Sequence, residues 1–207
     1  MEIILLQLVV LLFSAILHEV AHGYVAERLG DPTARLLGRL TLDPRKHIDP
    51  FMTILLPLML ILGGSPVILG GAKPVPVDPF NLKDGRKDIA LVSLAGPATN
   101  IILAIIATLL FRLTLVTVGN SPLLEFFFIV VRMNLILAIF NLLPIPPLDG
   151  SKIFSLLLPE KYAAAYLSLG SIGIFVLFFL LVFPIGGFSL DVFIASLYNS
   201  AAGLLGF

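Results

Sequence analysis

The sequence predicts an all-α polytopic membrane protein. Hydrophobic residues make up 58% of the 207 residues, only 13% are charged, and the mean hydropathy is +1.08. A water-soluble domain of this composition would expose far more apolar surface than soluble proteins do. The formal net charge is zero, which gives no indication of a nucleic-acid partner. The chain has no cysteine, which excludes disulfides and thiolate metal ligands.

Apolar runs long enough to cross a bilayer of roughly 30 Å define the predicted elements. The first run is not interpreted as a cleaved signal peptide, because no basic segment precedes it. In chain order we predict spans at residues 3–25, 89–111, 125–143 and 163–183, and then 188–207 as either a fifth span or an interfacial helix.

Residues 51–72 are predicted to form a re-entrant hairpin, because Pro57 and the Gly63-Gly64-Ser65-Pro66 turn interrupt the apolar run. The charge distribution supports this interpretation. With a hairpin, three polar segments lie on one side and hold eleven of the thirteen Lys and Arg residues: five in 26–50, four in 73–88 and two in 150–162. Basic loops mark the cytoplasmic side of a membrane protein. A full crossing at 51–72 would divide these loops between the two sides.

The segment His18-Glu19-Val20-Ala21-His22 lies inside the first apolar run, where Gln7 and Ser14 are the only other polar residues after Ile3. Two histidines four positions apart share one helical face, so both imidazoles can reach one metal ion. A glutamate beside them is the H-E-x-x-H arrangement, in which it acts as a general base. Burying an ionisable side chain inside a membrane costs free energy, so such residues usually have a function. The alternative is a pair of packed histidines with Glu19 near the membrane face.

A catalytic zinc site needs three protein ligands. Asp149 is the favoured third ligand, because it follows the third span in a proline-rich break and the hairpin topology ends that span at the depth of His22. The alternative for Asp149 is a turn that caps a helix. His47 is the third histidine, but it lies in a polar loop where a solvated or capping role is more common.

Four blocks resemble the site-2 protease family of intramembrane zinc metalloproteases. The blocks are His18-Glu19-Val20-Ala21-His22, Gly71-Ala72-Lys73-Pro74-Val75-Pro76-Val77, Ser93-Leu94-Ala95-Gly96-Pro97-Ala98-Thr99-Asn100 and Asn141-Leu142-Leu143-Pro144-Ile145-Pro146-Pro147-Leu148-Asp149-Gly150. Each block alone is weakly specific, but their combination in this order is highly specific. The resemblance implies a three-helix catalytic core at residues 1–150 followed by C-terminal helices at 151–207, together one membrane-embedded peptidase domain. The sequence departs from many bacterial relatives, which carry a PDZ domain between core helices or a pair of CBS domains at the end. Its short linker and hydrophobic tail indicate a compact form without PDZ or CBS domains.

The resemblance implies one Zn²⁺ per chain, held by His18, His22 and Asp149, with Glu19 as the catalytic base. The expected partners are the lipid bilayer and a membrane-protein substrate with a transmembrane helix. The expected location is the cell membrane, with the active site toward the cytoplasmic side. Asn141, Asn100 and Lys73 are candidate substrate-binding residues. The alternatives are a cap for Asn141, helix packing for Asn100, which we favour, and a rigid linker for the Lys73 loop.

Two other function classes stay open from the sequence. One is a zinc-binding membrane protein without proteolytic activity, which the intact motif argues against. The other is a metal or proton transporter, although no internal repeat is visible in the sequence. Arg132 lies within the third span and either pairs with a nearby acid such as Glu125 or extends toward the membrane surface.

Overall fold

A computed structural model describes residues 2–62 and 72–207. Within these ranges the chain forms α-helices joined by turns and short 3-10 segments, and it contains no β-strand. The α-helices are α1 (Glu2–Leu29), α2 (Thr33–Leu36), α3 (Leu56–Leu62), α4 (Arg86–Thr117), α5 (Pro122–Asn141), α6 (Asp149–Ser155), α7 (Glu160–Leu167), α8 (Gly170–Val182) and α9 (Leu190–Leu205). The predicted all-α polytopic membrane fold is confirmed.

Three of these helices, α1, α4 and α5, are long and apolar enough to cross a membrane by themselves. Their lengths of 28, 32 and 20 residues correspond to the first three predicted spans. At about 1.5 Å per residue, even the shortest reaches about 30 Å. Small residues allow close approach of such helices in lipid. Ala104 and Ala107 of α4 accordingly pack against Val131 and Leu135 of α5.

The direction of these helices follows from their contacts. His18 of α1 contacts Asn100 of α4, whereas His22, one turn later, contacts Val92, so α1 and α4 are antiparallel. Only residues 118–121 separate α4 from α5, so these two helices are antiparallel as well. Helices α1 and α5 therefore end on the same side of the membrane. The end of α1 and the start of α4 also share a side, which agrees with a hairpin between them.

The predicted hairpin at 51–72 is described in part. Its first arm is a π-helical turn at Pro50–Leu55 followed by α3. The predicted turn at residues 63–66 and the second arm as far as residue 71 lie outside the described residues.

Polar contacts fix the loops on this side of the helices. The buried carboxylate of Asp31 accepts bonds from the backbone N–H of Thr33 at 3.1 Å, from Nδ2 of Asn81 at 3.0 Å and from the backbone N–H of Asp78 at 2.7 Å. These bonds join the end of α1 to the segment that precedes α4. The loops are therefore held at a defined height beside α1.

A turn at residues 142–148 follows α5 and leads directly into α6. The turn folds closely over Gly150, where an added Cβ would lie 2.1 Å from the Leu142 carbonyl oxygen. Only glycine fits at this position, and the turn thereby sets the place of Asp149.

The span predicted at 163–183 is two helices, α7 and α8, bent by 69°. Gly170 begins α8, and Gly173 packs so closely on the Pro146 carbonyl oxygen that no side chain fits. The hydroxyl of Tyr166 in α7 also donates to the Pro144 carbonyl at 2.7 Å. The bend therefore fits both helices around the turn that carries Asp149.

The last helix, α9, lies along the bundle. Its first residue, Leu190, clusters with Leu143 beyond the end of α5, and its Leu205 carbonyl accepts a bond of 2.6 Å from Arg112 near the end of α4. Those two partners are at opposite ends of the core. At 16 residues, α9 is shorter than the roughly 20 residues that cross a bilayer, and these contacts place it alongside the core helices.

Candidate metal centre

Helix α1 carries both histidines of the H-E-x-x-H segment on its buried face. His18 and His22 are one turn apart, and their rings meet edge to face with centroids 4.6 Å apart. The exposed fractions are 6% for His18 and 8% for His22, so the two imidazoles are shielded from solvent.

Asp149, which is 131 positions after His18 in the chain, meets these imidazoles at the start of α6. Its Oδ2 atom lies 3.1 Å from Nε2 of His18 and 3.2 Å from Nε2 of His22. Among the described residues these three side chains form the group of His, Asp and Glu that could hold a metal ion, with ligand atoms all within 4.8 Å of one another. Lys152 approaches the other carboxylate oxygen of Asp149, with Nζ 3.4 Å away.

The opposite ring nitrogen of each histidine faces an acceptor. Nδ1 of His18 lies 2.6 Å from Oδ1 of Asn100, and Nδ1 of His22 lies 2.7 Å from the Val92 carbonyl oxygen. An acceptor at Nδ1 holds the proton there in a neutral imidazole. Each Nε2 atom then presents a lone pair toward Asp149.

In that tautomer, three lone-pair atoms converge with no donor among them, and a cation between them would neutralise their mutual repulsion. The two imidazoles and one carboxylate are the ligand set of a catalytic zinc site. Ligands at about 2.0–2.1 Å from a tetrahedral zinc lie about 3.3 Å from one another. The observed Nε2–Oδ2 distances of 3.1 and 3.2 Å agree with that separation, so these residues fit zinc.

Gly96 of α4 packs directly against both imidazoles, because it has no side chain to collide with them. A Cβ atom at this position would lie 2.4 Å from Nε2 of His18 and 2.6 Å from Cε1 of His22. The chain thus approaches the ligand atoms with bare backbone on this side. Any larger residue would occupy the space in front of Nε2 of His18.

Glu19 lies beside this group and is partly exposed. Its Oε2 atom accepts a bond of 2.8 Å from the backbone N–H of Val75. The segment at residues 72–77 is itself anchored, because the Lys73 N–H donates to the His47 carbonyl at 2.7 Å and Arg39 donates to the Lys73 and Pro74 carbonyls. The carboxylate is thus held in place by a fixed loop.

The other predicted site residues differ in their positions. Asn100 is fully buried beneath His18, and its amide faces other protein groups rather than a surface open to substrate. Asn141 is partly exposed and donates one amide bond of 2.9 Å to the Leu137 carbonyl in its own helix. The Lys73 side chain is exposed, and only the backbone of this residue makes the contacts described above.

His47 is not solvated, since its exposed fraction is 0%. Its Nε2 atom contacts the Thr41 carbonyl at 2.8 Å, and His47 lies outside the group formed by the three ligand candidates. Its burial lowers the pKa of the imidazole below the ordinary value. No ion pair joins Arg132 to Glu125 within the described ranges.

Sequence reasoning missed Asn134 in α5, which is fully buried and accepts a bond of 2.8 Å from Asn100. An amide in the middle of an apolar span was the available signal, since polar residues in membrane helices usually join neighbouring helices. The contact of Gly96 with the imidazoles was also missed, because a glycine in a motif does not indicate which side chain approaches it.

Comparison with known proteins gives a consistent result. The family model described as Peptidase family M50 matches two overlapping stretches, residues 6–121 and 114–184. "Putative zinc metalloprotease YwhC" of Bacillus subtilis is 41% identical over 188 residues, which cover 88% of this chain and 82% of that protein. "Putative zinc metalloprotease Rip2" of Mycobacterium tuberculosis is 34% identical over 171 residues, which cover 83% of this chain but only 63% of that longer protein. No solved structure gives a significant match.

The matched stretches include His18, Glu19, His22 and Asp149, together with every long helix of the core. The resemblance noted from the four sequence blocks is therefore confirmed at the level of the family. The chain belongs to peptidase family M50, the site-2 protease family.

Proposed function

We propose that this protein is a zinc-dependent intramembrane endopeptidase that cleaves transmembrane segments of other membrane proteins. The observation that carries the proposal is the convergence of three lone-pair atoms, from His18, His22 and Asp149, beside the carboxylate of Glu19. The names of the relatives, which describe zinc metalloproteases, support zinc as the metal. Because one such group is present among the described residues, we propose one zinc ion per chain.

In this proposal His18 and His22 bind zinc through Nε2 and Asp149 binds it through a carboxylate oxygen. When bound, zinc supplies a Lewis acid that polarises the scissile carbonyl and makes water a stronger nucleophile at neutral pH. The acceptors at both Nδ1 atoms keep the Nε2 lone pairs directed at the site.

Glu19 is the proposed general base. The Val75 N–H holds its Oε2 atom, which leaves Oε1 to take a proton from the attacking water. Glu19 then passes this proton to the nitrogen of the leaving amine, so that one carboxylate serves as base and later as acid. Asn141 has a second amide N–H beyond the one bonded to Leu137, and we propose that it donates to the substrate carbonyl oxygen.

The proposed substrate is a transmembrane segment that has locally unwound. A helix in lipid satisfies its backbone bonds internally, so an attacked peptide bond must first leave the helix. The segment at residues 72–77 is bonded to Glu19 through Val75, and we propose that a substrate strand pairs with it. The Lys73 side chain is exposed on this segment and could contact that strand. Asn100 contributes from beneath the ligands rather than through substrate contact.

We place this centre on the cytoplasmic side of the cell membrane. The segments at 26–50, 73–88 and 150–162 hold eleven of the thirteen basic residues, and the antiparallel order of α1 and α4 brings the first two of them to one side. The whole chain, 1–207, then forms a single membrane-embedded peptidase domain with its core at 1–150.

The test is cleavage of a single-span membrane peptide by the purified protein in liposomes. We expect a chelator to stop cleavage, and Glu19→Gln to abolish it while zinc stays bound at the wild-type stoichiometry. Cleavage at the wild-type rate by Glu19→Gln would refute the role of the base. If zinc binds without any cleavage, the non-proteolytic alternative is correct, and metal-dependent ion flux across the liposomes would instead identify a transporter.

A further inference from the structure

A continuous chain of side-chain hydrogen bonds runs from His18 into the middle of the helix bundle. Oδ1 of Asn100 faces Nδ1 of His18 at 2.6 Å, and Nδ2 of Asn100 donates to Oδ1 of Asn134 at 2.8 Å. Nδ2 of Asn134 in turn donates to Oγ of Ser14 at 3.0 Å and to the Val130 carbonyl at 2.9 Å. The chain crosses α1, α4 and α5, and both amides have exposed fractions of 0%.

The Val130 carbonyl fixes the direction of every bond in this chain. A backbone carbonyl can only accept, so the amide atom of Asn134 that faces it must be the nitrogen. Oδ1 of Asn134 must then face Asn100, which presents Nδ2 to it and therefore Oδ1 to His18. Rotating either amide by 180° would bring two donors or two acceptors together in a place that water cannot reach.

The two histidines differ in what orients them. His22 donates directly to a backbone carbonyl, that of Val92, which no side-chain substitution removes. His18 donates to an amide that could rotate if it were alone. Nδ2 of Asn100 has two acceptors that hold this orientation, Oδ1 of Asn134 at 2.8 Å and, more weakly, the Ser14 carbonyl oxygen at 3.5 Å. The orientation of the His18 ring thus depends in large part on Asn134, which touches neither imidazole.

We propose that Asn100 and Asn134 are positioning residues for the metal ligand His18. Asn100 holds the proton on Nδ1 of His18, so that Nε2 keeps its lone pair for the metal, and Asn134 keeps Asn100 in the orientation that does so. This inference rests on the proposed function only in taking His18 as a ligand.

The decisive comparison is between Asn100→Asp and Asn100→Leu. Both variants have the same number and branching of side-chain heavy atoms as asparagine, and both lose the Nδ2 bond to Asn134. Only Asn100→Asp keeps an oxygen that accepts the Nδ1 proton of His18, and in its protonated form the new O–H takes the place of Nδ2 as the donor to Oδ1 of Asn134. If Asn100 positions His18, Asn100→Asp binds zinc within about threefold of the wild type, and Asn100→Leu binds it about 10–100-fold more weakly. If Asn100 only packs helices, both variants lose zinc affinity alike.

Asn134→Leu tests the second member of the chain without touching the site. We expect about three- to tenfold weaker zinc binding, because only the longer bond to the Ser14 carbonyl, 3.5 Å, then keeps the nitrogen of Asn100 turned away from His18. The matched control is Thr108→Val in α4, since Thr108 is also buried and its hydroxyl donates only to the Ala104 carbonyl of its own helix at 2.8 Å. This control is expected to bind zinc within about twofold of the wild type.

Zinc affinity is measured by competition with a chromophoric chelator in detergent, on variants whose helical content by circular dichroism equals that of the wild type. The proposal is overturned if Asn100→Leu and Asn134→Leu bind zinc within twofold of the wild type, or if Asn100→Asp falls as far as Asn100→Leu. Should Asn100→Leu not fold, Asn134→Leu and Asn100→Asp still decide. His22→Ala separates the two proposals: unchanged zinc binding there refutes the metal centre itself, whereas a loss there with unchanged Asn134→Leu refutes only the positioning role.

Discussion

Gly96→Ala adds one methyl group to the face of α4 that meets both imidazoles. The new Cβ atom would lie 2.4 Å from Nε2 and 2.5 Å from Cε1 of His18, and 2.6 Å from Cε1 of His22. Normal contact between such atoms is about 3.5 Å, so the overlap is about 1 Å on two rings at once. The rings cannot turn away freely, because Asn100 and the Val92 carbonyl hold their Nδ1 atoms.

Overpacking of this kind costs about 1–3 kcal/mol. If the whole cost falls on the site, zinc affinity decreases by about 5- to 150-fold, since about 1.4 kcal/mol corresponds to a factor of ten. Alanine in place of glycine also favours a helix by roughly 1 kcal/mol, so a loss of zinc affinity would not come from a weaker α4.

Chelator competition on purified protein measures this affinity, with peptide cleavage as a second readout. Gly203→Ala is the matched control, because Gly203 is also a helical glycine and its added Cβ would meet no atom within 4 Å. We expect Gly203→Ala to behave as the wild type. Zinc affinity of Gly96→Ala equal to that of this control would refute the idea that bare backbone at residue 96 is required by the ligands.

Three further predictions concern the supports of the site. Gly150→Ala brings a Cβ atom 2.1 Å from the Leu142 carbonyl oxygen, so it should displace Asp149 and abolish tight zinc binding in equilibrium dialysis. Asp31→Ala removes the acceptor of three partly buried bonds, at about 1 kcal/mol each, and should lower the melting temperature in detergent while zinc stoichiometry stays the same. Burial lowers the pKa of His47, so the unfolded chain binds protons more tightly and stability should fall as the pH decreases below about 6.5. His47→Gln should remove that dependence, and melting curves with an unchanged acid slope would contradict it.

The long helices could be predicted because lipid imposes a simple rule of length and apolarity. The predicted limits of the second span, 89–111, were nevertheless too narrow, since α4 extends from Arg86 to Thr117. At its start, the Asp88 carboxylate accepts the Asp84 N–H at 2.8 Å, and near its end the Thr117 hydroxyl donates to the Leu113 carbonyl. A hydropathy pattern marks only the apolar part of a helix, so it does not predict polar ends that such local bonds stabilise.

The candidate site was predictable in outline from two regularities. Histidines four positions apart, His18 and His22, lie on one face of a helix. If the hairpin does not cross the membrane, α1 and α5 end on the same side of it, so the end of α5 lies at the depth of these histidines. The structure brings Asp149 within 3.2 Å of both rings, while the role of these residues as ligands stays a prediction. The bond between Val75 and Glu19 and the bend between α7 and α8 were not predictable, because each depends on how distant segments pack.

The amide pair of Asn100 and Asn134 has a consequence for assembly as well as for chemistry. Apolar helix faces slide past one another in lipid at little cost, since one leucine contact resembles the next. A slip of α5 by a single turn, about 5.4 Å, would carry Asn134 out of reach of both Asn100 and Ser14 and strand two amides in hydrocarbon. The pair thus stabilises one register of the three helices along their axes. Only in that register does Asp149, which follows α5, meet His18 and His22 of α1.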